Sequence, residues 1–74
     1  MESRITYTDN ALARILARRL TISAVERVIL RPAKVAASRG DRYKATGESG
    51  LGIVSVLYVQ KDGRIKVLTA YPGE

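Results

Sequence analysis

Gly52-Ile53-Val54-Ser55-Val56-Leu57-Tyr58-Val59-Gln60, then Lys61-Asp62-Gly63, then Arg64-Ile65-Lys66-Val67-Leu68-Thr69-Ala70-Tyr71 is the stretch that decides the fold. The first run is rich in β-branched residues, which suit a pleated, half-buried surface. Asp62-Gly63 lies between two strand-like runs, and such a pair supplies the two positive φ values of a tight hairpin turn. Pro72 stops the second run. The stretch therefore predicts an antiparallel hairpin, with Gly52–Gln60 as its central strand.

Working back towards the N-terminus, Gly47-Glu48-Ser49-Gly50 reads as a turn. The glycines at 47, 50 and 52 read as turn and strand-entry residues, not as a phosphate cradle. Arg42–Thr46 alternates basic or polar residues with Tyr43 and Ala45 and predicts a further strand. Lys34–Ala37 is a weaker extended candidate. Pro32 marks a change of period, and Arg31 before it is disfavoured in a helix. Upstream of Pro32 the spacing is helical. Thr8 is the expected N-cap of a first helix, with Asp9 in the first turn. Leu12, Ile15 and Leu16 recur as one apolar stripe, with Arg14 and Arg18 opposite. In a second helix Thr21 is preferred as N-cap, because Leu20 and Val25 then form a hydrophobic staple. Ser23 with Glu26 offers a competing capping box. Ile22, Val25, Val28 and Ile29 share the expected inner face, and Arg27 and Arg31 the outer one. The order is ααβββ, with room for an extra strand at either end. The expected fold is a single α+β domain over residues 1–74, two helices packed on a three- to four-stranded antiparallel sheet.

Composition narrows the chemistry. The 74 residues include no cysteine and no histidine. Disulfides, zinc–thiolate sites, cysteine nucleophiles and histidine bases are excluded, and neither metal nor cofactor is expected. No Walker loop or Rossmann glycine pattern is present. Leu51–Val59 is too short to span a bilayer as a helix, and Arg14, Arg18 and Arg19 interrupt any signal-peptide core. The chain reads as complete, soluble and cytoplasmic, with no membrane partner. Thirteen Lys/Arg against seven Asp/Glu give a net charge of +6. Residues 1–40 hold eight cations against three anions, and residues 41–74 five against four, so most of the excess lies in the helical half.

Asn10-Ala11-Leu12-Ala13-Arg14, Arg18, Leu20-Thr21, Val25-Glu26-Arg27-Val28-Ile29, Pro32, Arg42-Tyr43 and the run Gly63–Pro72 together resemble the DUF4258 family of small bacterial domains. That family is distantly similar to RelE/ParE-like toxins. The resemblance implies a RelE-like fold and a toxin of a toxin–antitoxin system that cuts mRNA on the ribosome. Two positions depart from the family pattern: Asn10 stands where the family has a helix histidine, and Arg19 where it has a glycine.

Alternation sorts the strand residues by face. Arg42, Lys44 and Thr46 share one face of their strand, and Arg64 and Lys66 one face of the last. If the faces coincide, the sheet side away from the helices is basic, with Ser55 and Leu57 lining it. Such a surface suits a phosphate backbone, although a solvated and merely basic sheet face has the same pattern. Cleavage at a 2′-hydroxyl needs a base, an acid and cations. Lys44 or Lys66 is a candidate base, with a carboxylate such as Glu48, or a tyrosine, as alternatives. Arg42 and Arg64 are candidate charge stabilisers, and the family resemblance implies Tyr71 as acid or stacking residue. By strict alternation, however, Tyr71 shares the parity of Ile65 and Val67 and falls on the core side unless a bulge redirects it. Tyr43 and Tyr58 offer rings for stacking on bases, but in a chain with so few aromatics they are assigned to the core. The helix cations Arg14, Arg18, Arg27 and Arg31 form a second candidate nucleic-acid surface. The expectations are an RNA- or ribosome-binding protein, catalytic or not, or a non-catalytic module that docks an acidic protein partner. An exposed edge strand offers a route to an oligomer.

Overall fold

The computed structural model describes residues 4–73. Its elements are β1 (Ile5–Tyr7), α1 (Asp9–Ala17), α2 (Ile22–Leu30), β2 (Lys34–Ala37), β3 (Arg42–Glu48), β4 (Ile53–Lys61) and β5 (Arg64–Pro72). The sheet has five strands in the order β1-β5-β4-β3-β2. This corrects the expected three to four antiparallel strands. β1 runs parallel to β5, pairing Ile5 with Ile65 and Tyr7 with Val67, and the other neighbours are antiparallel. A strand of three residues carries too short an alternation to stand out in a sequence.

Both helix starts follow from local chemistry. The Thr8 side chain accepts the Ala11 N–H at 3.0 Å, and the Thr21 side chain accepts the Ala24 N–H at 3.0 Å. Each satisfies an N–H with no partner inside the helix. Thr21, not Ser23, is thus the N-cap of α2. α1 ends in a Schellman motif: the Leu20 N–H donates to the Ile15 carbonyl at 2.9 Å and the Arg19 N–H to the Leu16 carbonyl at 3.1 Å. Arg19 adopts φ 56° to close it. The left-handed cap that a glycine favours is therefore made without one. The β4–β5 turn has φ 54° at Asp62 and 75° at Gly63, the positive pair of a type I′ turn.

The helices cover one side of the sheet, α1 on β5 and α2 on β3 and β4. The core joins Ala11, Ile15, Val25, Val28 and Ile29 to Ala45, Val54, Val56, Tyr58, Val67 and Ala70. Tyr43 and Tyr58 stack within this layer, ring centroids 5.8 Å apart. The expected stripe on α1 is corrected: Ala11 and Ile15 point inward, while Leu12 is 45% exposed and Leu16 80%. Alanine at position 11 lets the helix lie close on β5, which rotates the leucines outward. Ile22 is also more exposed than expected, at 38%. Gly47 is another correction. It lies buried within β3, and a Cβ there would meet the Ala33 amide nitrogen at 3.2 Å and the Arg31 carbonyl oxygen at 3.4 Å. Glycine is needed for that close backbone approach, not for a turn.

Candidate nucleic-acid interface

The strand registers gather residues on the uncovered face. Arg42 pairs with Val59, and Val59 with Lys66. Thr6 of β1 extends the same row beyond Lys66. In the next row Lys44 pairs with Leu57 and Leu57 with Thr69, and in the third Thr46 pairs with Ser55 and Ser55 with Tyr71. Adjacent strands lie about 4.8 Å apart and alternate residues about 7 Å. Arg42 and Lys66 thus flank Val59 at about 10 Å between Cα atoms. At the hairpin end Lys61 stands opposite Arg64. Arg42, Lys61, Arg64 and Lys66 are exposed, and Lys44 is half-buried.

The register also places Tyr71. Leu57 pairs with Thr69 but Tyr58 pairs with Val67, so Leu68 is an extra residue in β5. This bulge inverts the parity downstream. Ile65, Val67 and Ala70 face the helices, while Thr69 and Tyr71 face the open side with Arg64 and Lys66. Tyr71 is therefore not a core-side residue, contrary to simple alternation.

Polar groups at the centre of this face are committed to the fold. The Thr46 and Ser55 hydroxyls lie 3.0 Å apart, and Ser55 donates to the Gly73 carbonyl at 2.7 Å. Thr46 is then the donor to Ser55, and both side chains are buried. Glu48, a candidate base, has one carboxylate oxygen accepting the Gly50 and Gly52 N–H groups at 3.0 and 3.1 Å. It is the one acidic residue among the strand positions of this face.

The helix arginines do not join this surface. The Arg18 guanidinium donates to the Ala70 carbonyl at 2.7 Å, closing the edge of β5 beyond the end of β1. Arg14 lies exposed in the last turn of α1. Arg27 and Arg31 line an open cleft of about 480 Å³ along α2, with Ser23, Glu26 and Leu30. In the same layer the Tyr7 hydroxyl donates to the Glu26 carboxylate at 3.2 Å. Burial, with the Glu26 charge and hydrogen bond, pushes the Tyr7 phenol far above its ordinary pKa. Burial and the neighbouring Tyr43 raise Tyr58 as well. Lys61 and Thr6 escaped the sequence reading. Lys61 has the parity of Ser55 and Leu57, which was the available signal; Thr6 is flanked by Ile5 and Tyr7, a single alternation.

Among the described residues no group of three His, Cys, Asp or Glu side chains is placed to hold a metal, and no helix is long and apolar enough to cross a membrane. No family model and no curated protein matches the sequence. Among solved structures, the chain is similar to the Brucella abortus ribonuclease toxin BrnT, with a TM-score of 0.72 and 23% identity over 95% of each chain. At that identity the likeness is one of fold alone. With both helices on one side of the sheet, the row of Arg42, Val59 and Lys66 lies open on the other, while Thr46 and Ser55 at the far end are buried.

Proposed function

We propose that this protein binds RNA on the open face of its sheet and acts as a toxin-type ribonuclease or a diverged relative of one. The observation that carries the reading is the register. Arg42, Lys44, Lys61, Arg64 and Lys66 share a face on which Glu48, the one acidic residue among its described strand positions, is held by backbone N–H groups. Those cations suit the phosphates of a single strand, and each neutralised phosphate releases counterions. Half-buried Leu57 and Val59, with Tyr71, offer a floor for bases. The resemblance to DUF4258 and the likeness to a ribonuclease toxin agree with this reading. An RNA substrate sets it in the cytoplasm.

For cleavage, the 2′-oxygen attacks phosphorus while a base takes its proton, and the 5′-oxygen leaves with a proton from an acid, giving a 2′,3′-cyclic phosphate. Tyr71 is the proposed acid, turned to the basic face by Leu68. Lys44 is the proposed base, and Arg42 and Arg64 stabilise the phosphorane charge. The test is binding of a labelled single-stranded RNA over about 50–200 mM salt, with a cleavage assay on free and ribosome-bound mRNA. Affinity should fall steeply with salt. Salt-insensitive affinity, or none at the low end, would end the reading.

A second reading has its own observation. The α2 cleft joins Arg27 and Arg31 to Leu30, which is 71% exposed. An acidic segment with an apolar anchor would fit it. Arg27→Glu should then release a co-purifying acidic chain and leave RNA affinity unchanged.

A further inference from the structure

The two edges of the sheet are finished differently. On the β5 side, β1 covers the first half of the edge, and beyond it the Thr8 hydroxyl reaches the Leu68 carbonyl and Arg18 the Ala70 carbonyl. Among the described residues, no comparable bond reaches the β2 edge at Val35 or Ala37. All four of its residues are exposed, and the helices lie over β3, β4 and β5. β2 carries neither proline nor bulge, and Lys34 is its one charged residue. Proline, bulges and charges are devices that proteins use to blunt an edge, and Lys34 at one end leaves Val35–Ala37 suited to pairing.

The hydrogen-bond parity identifies which groups are open. The Ser38 N–H donates to the Arg42 carbonyl at 2.8 Å. In the β2–β3 register, Lys34, Ala36 and Ser38 therefore turn their backbone groups towards β3. Val35 and Ala37 turn theirs outward. Val35 lies on the helix side of the sheet yet is 49% exposed.

We propose that β2 pairs antiparallel with β2 of a second copy, about a two-fold axis at Ala36. In that register Val35 exchanges both backbone bonds with Ala37 of the second copy, and Ala37 with its Val35. Ala36 faces itself, and two methyl groups meet without a clash. Lys34 falls opposite Ser38, so no cations stand face to face across the junction. Two five-stranded sheets become one, with the helices on one side and both basic faces on the other. The pairing covers Val35 and supplies the extra burial that a 74-residue chain lacks. It stands independently of the RNA reading. The two also respond oppositely to salt: each copy carries +6, so screening strengthens the dimer while it weakens RNA binding.

The test uses the absence of cysteine. Ala36→Cys places two thiols at a non-hydrogen-bonded pair, about 4.5 Å apart at Cα and within disulfide reach. Under a mild oxidant it should form a reducible covalent dimer. Val35→Cys puts its own copy's Cα beyond about 7 Å and should not. Val35→Pro removes an outward N–H only, so it should keep the circular dichroism of the parent and sediment as a monomer. Val35→Lys does the same by charge should the proline disturb the fold. Equal cross-linking at 35 and 36, a parent that stays monomeric at high concentration and salt, or an edge found occupied by a different chain would each overturn the proposal.

Discussion

Tyr71 stands opposite Ser55 in the β4–β5 ladder, on the side of the sheet that the helices leave open. Three residues earlier, Leu68 interrupts the pairing and shifts everything after it by one place. A single inserted residue thus exchanges the two faces of the strand end. Thr69 and Tyr71 join Arg64 and Lys66, and Ala70 takes the buried place. The bulge thus turns the half-buried Tyr71 to the side of the sheet that carries Arg64 and Lys66.

Tyr71→Phe separates chemistry from binding. It keeps the ring and removes the hydroxyl. RNA affinity should stay within about two-fold, since stacking is retained, while cleavage should fall by about 10²–10⁴, the range for a lost proton donor. Tyr71→Ala should weaken binding as well, by about 1–3 kcal/mol for one stacked base. Anisotropy and a gel cleavage assay on the same RNA read both. Unchanged cleavage by the phenylalanine variant would remove Tyr71 from the chemistry.

The salt dependence of binding should report the sheet face and not the helices. Each phosphate contact on a single strand contributes about −0.7 to the slope of log affinity against log salt. Arg42→Ala, Lys61→Ala and Lys66→Ala should each flatten the slope by about that amount. Arg14→Ala should leave it unchanged, as Arg14 lies in the last turn of α1 and α1 packs on the other side of the sheet. The reverse pattern would move the interface to the helix layer.

Much of the fold was legible because it rests on local rules. Thr8 and Thr21 cap as their neighbours require, and Asp62-Gly63 closes its hairpin. The parts that escaped depend on distant partners. β1 exists because Ile5–Tyr7 finds β5 in parallel across most of the chain. Nothing near Leu68 marks it as the bulged residue. Gly47 resembles a turn glycine next to Glu48-Ser49-Gly50, yet its role is set by Pro32 and Ala33 pressing against it. The site was half legible for the same reason. Arg42, Lys44, Arg64 and Lys66 follow from alternation, whereas the face of Tyr71 and the engagement of Arg18 with Ala70 follow from register and contact.

Arg19→Gly should stabilise the protein. The position closes the Schellman motif at φ 56°, where a side chain costs about 1–2 kcal/mol and glycine does not. Part of that gain is offset by the greater freedom of glycine in the unfolded chain. A net gain of about 1 kcal/mol should raise the melting temperature by about 4–8 °C for a domain of this size. The same substitution should leave the basic face and the β2 edge untouched. A lowered melting temperature would mean that the Arg19 side chain makes a compensating contact.

Stability should fall at alkaline pH through Tyr7 and Tyr58. Both phenols are raised above the ordinary value of 10.0, Tyr7 by burial and by Glu26, Tyr58 by burial and by Tyr43. Below that value the folded and unfolded chains both hold these protons, and the full stability is present. Above it the unfolded chain releases them first while the folded chain retains them, so each further rise in pH favours unfolding. Urea midpoints measured from about pH 8 to 11 should therefore be flat and then decline as the pH passes the ordinary tyrosine range. Tyr7→Phe should make the decline shallower, since its proton no longer differs between the two states. Glu26→Gln should do so partially, because it removes the negative charge beside the phenol but leaves the burial. A decline of equal steepness in all three proteins would show that other groups, not Tyr7, set the alkaline limit.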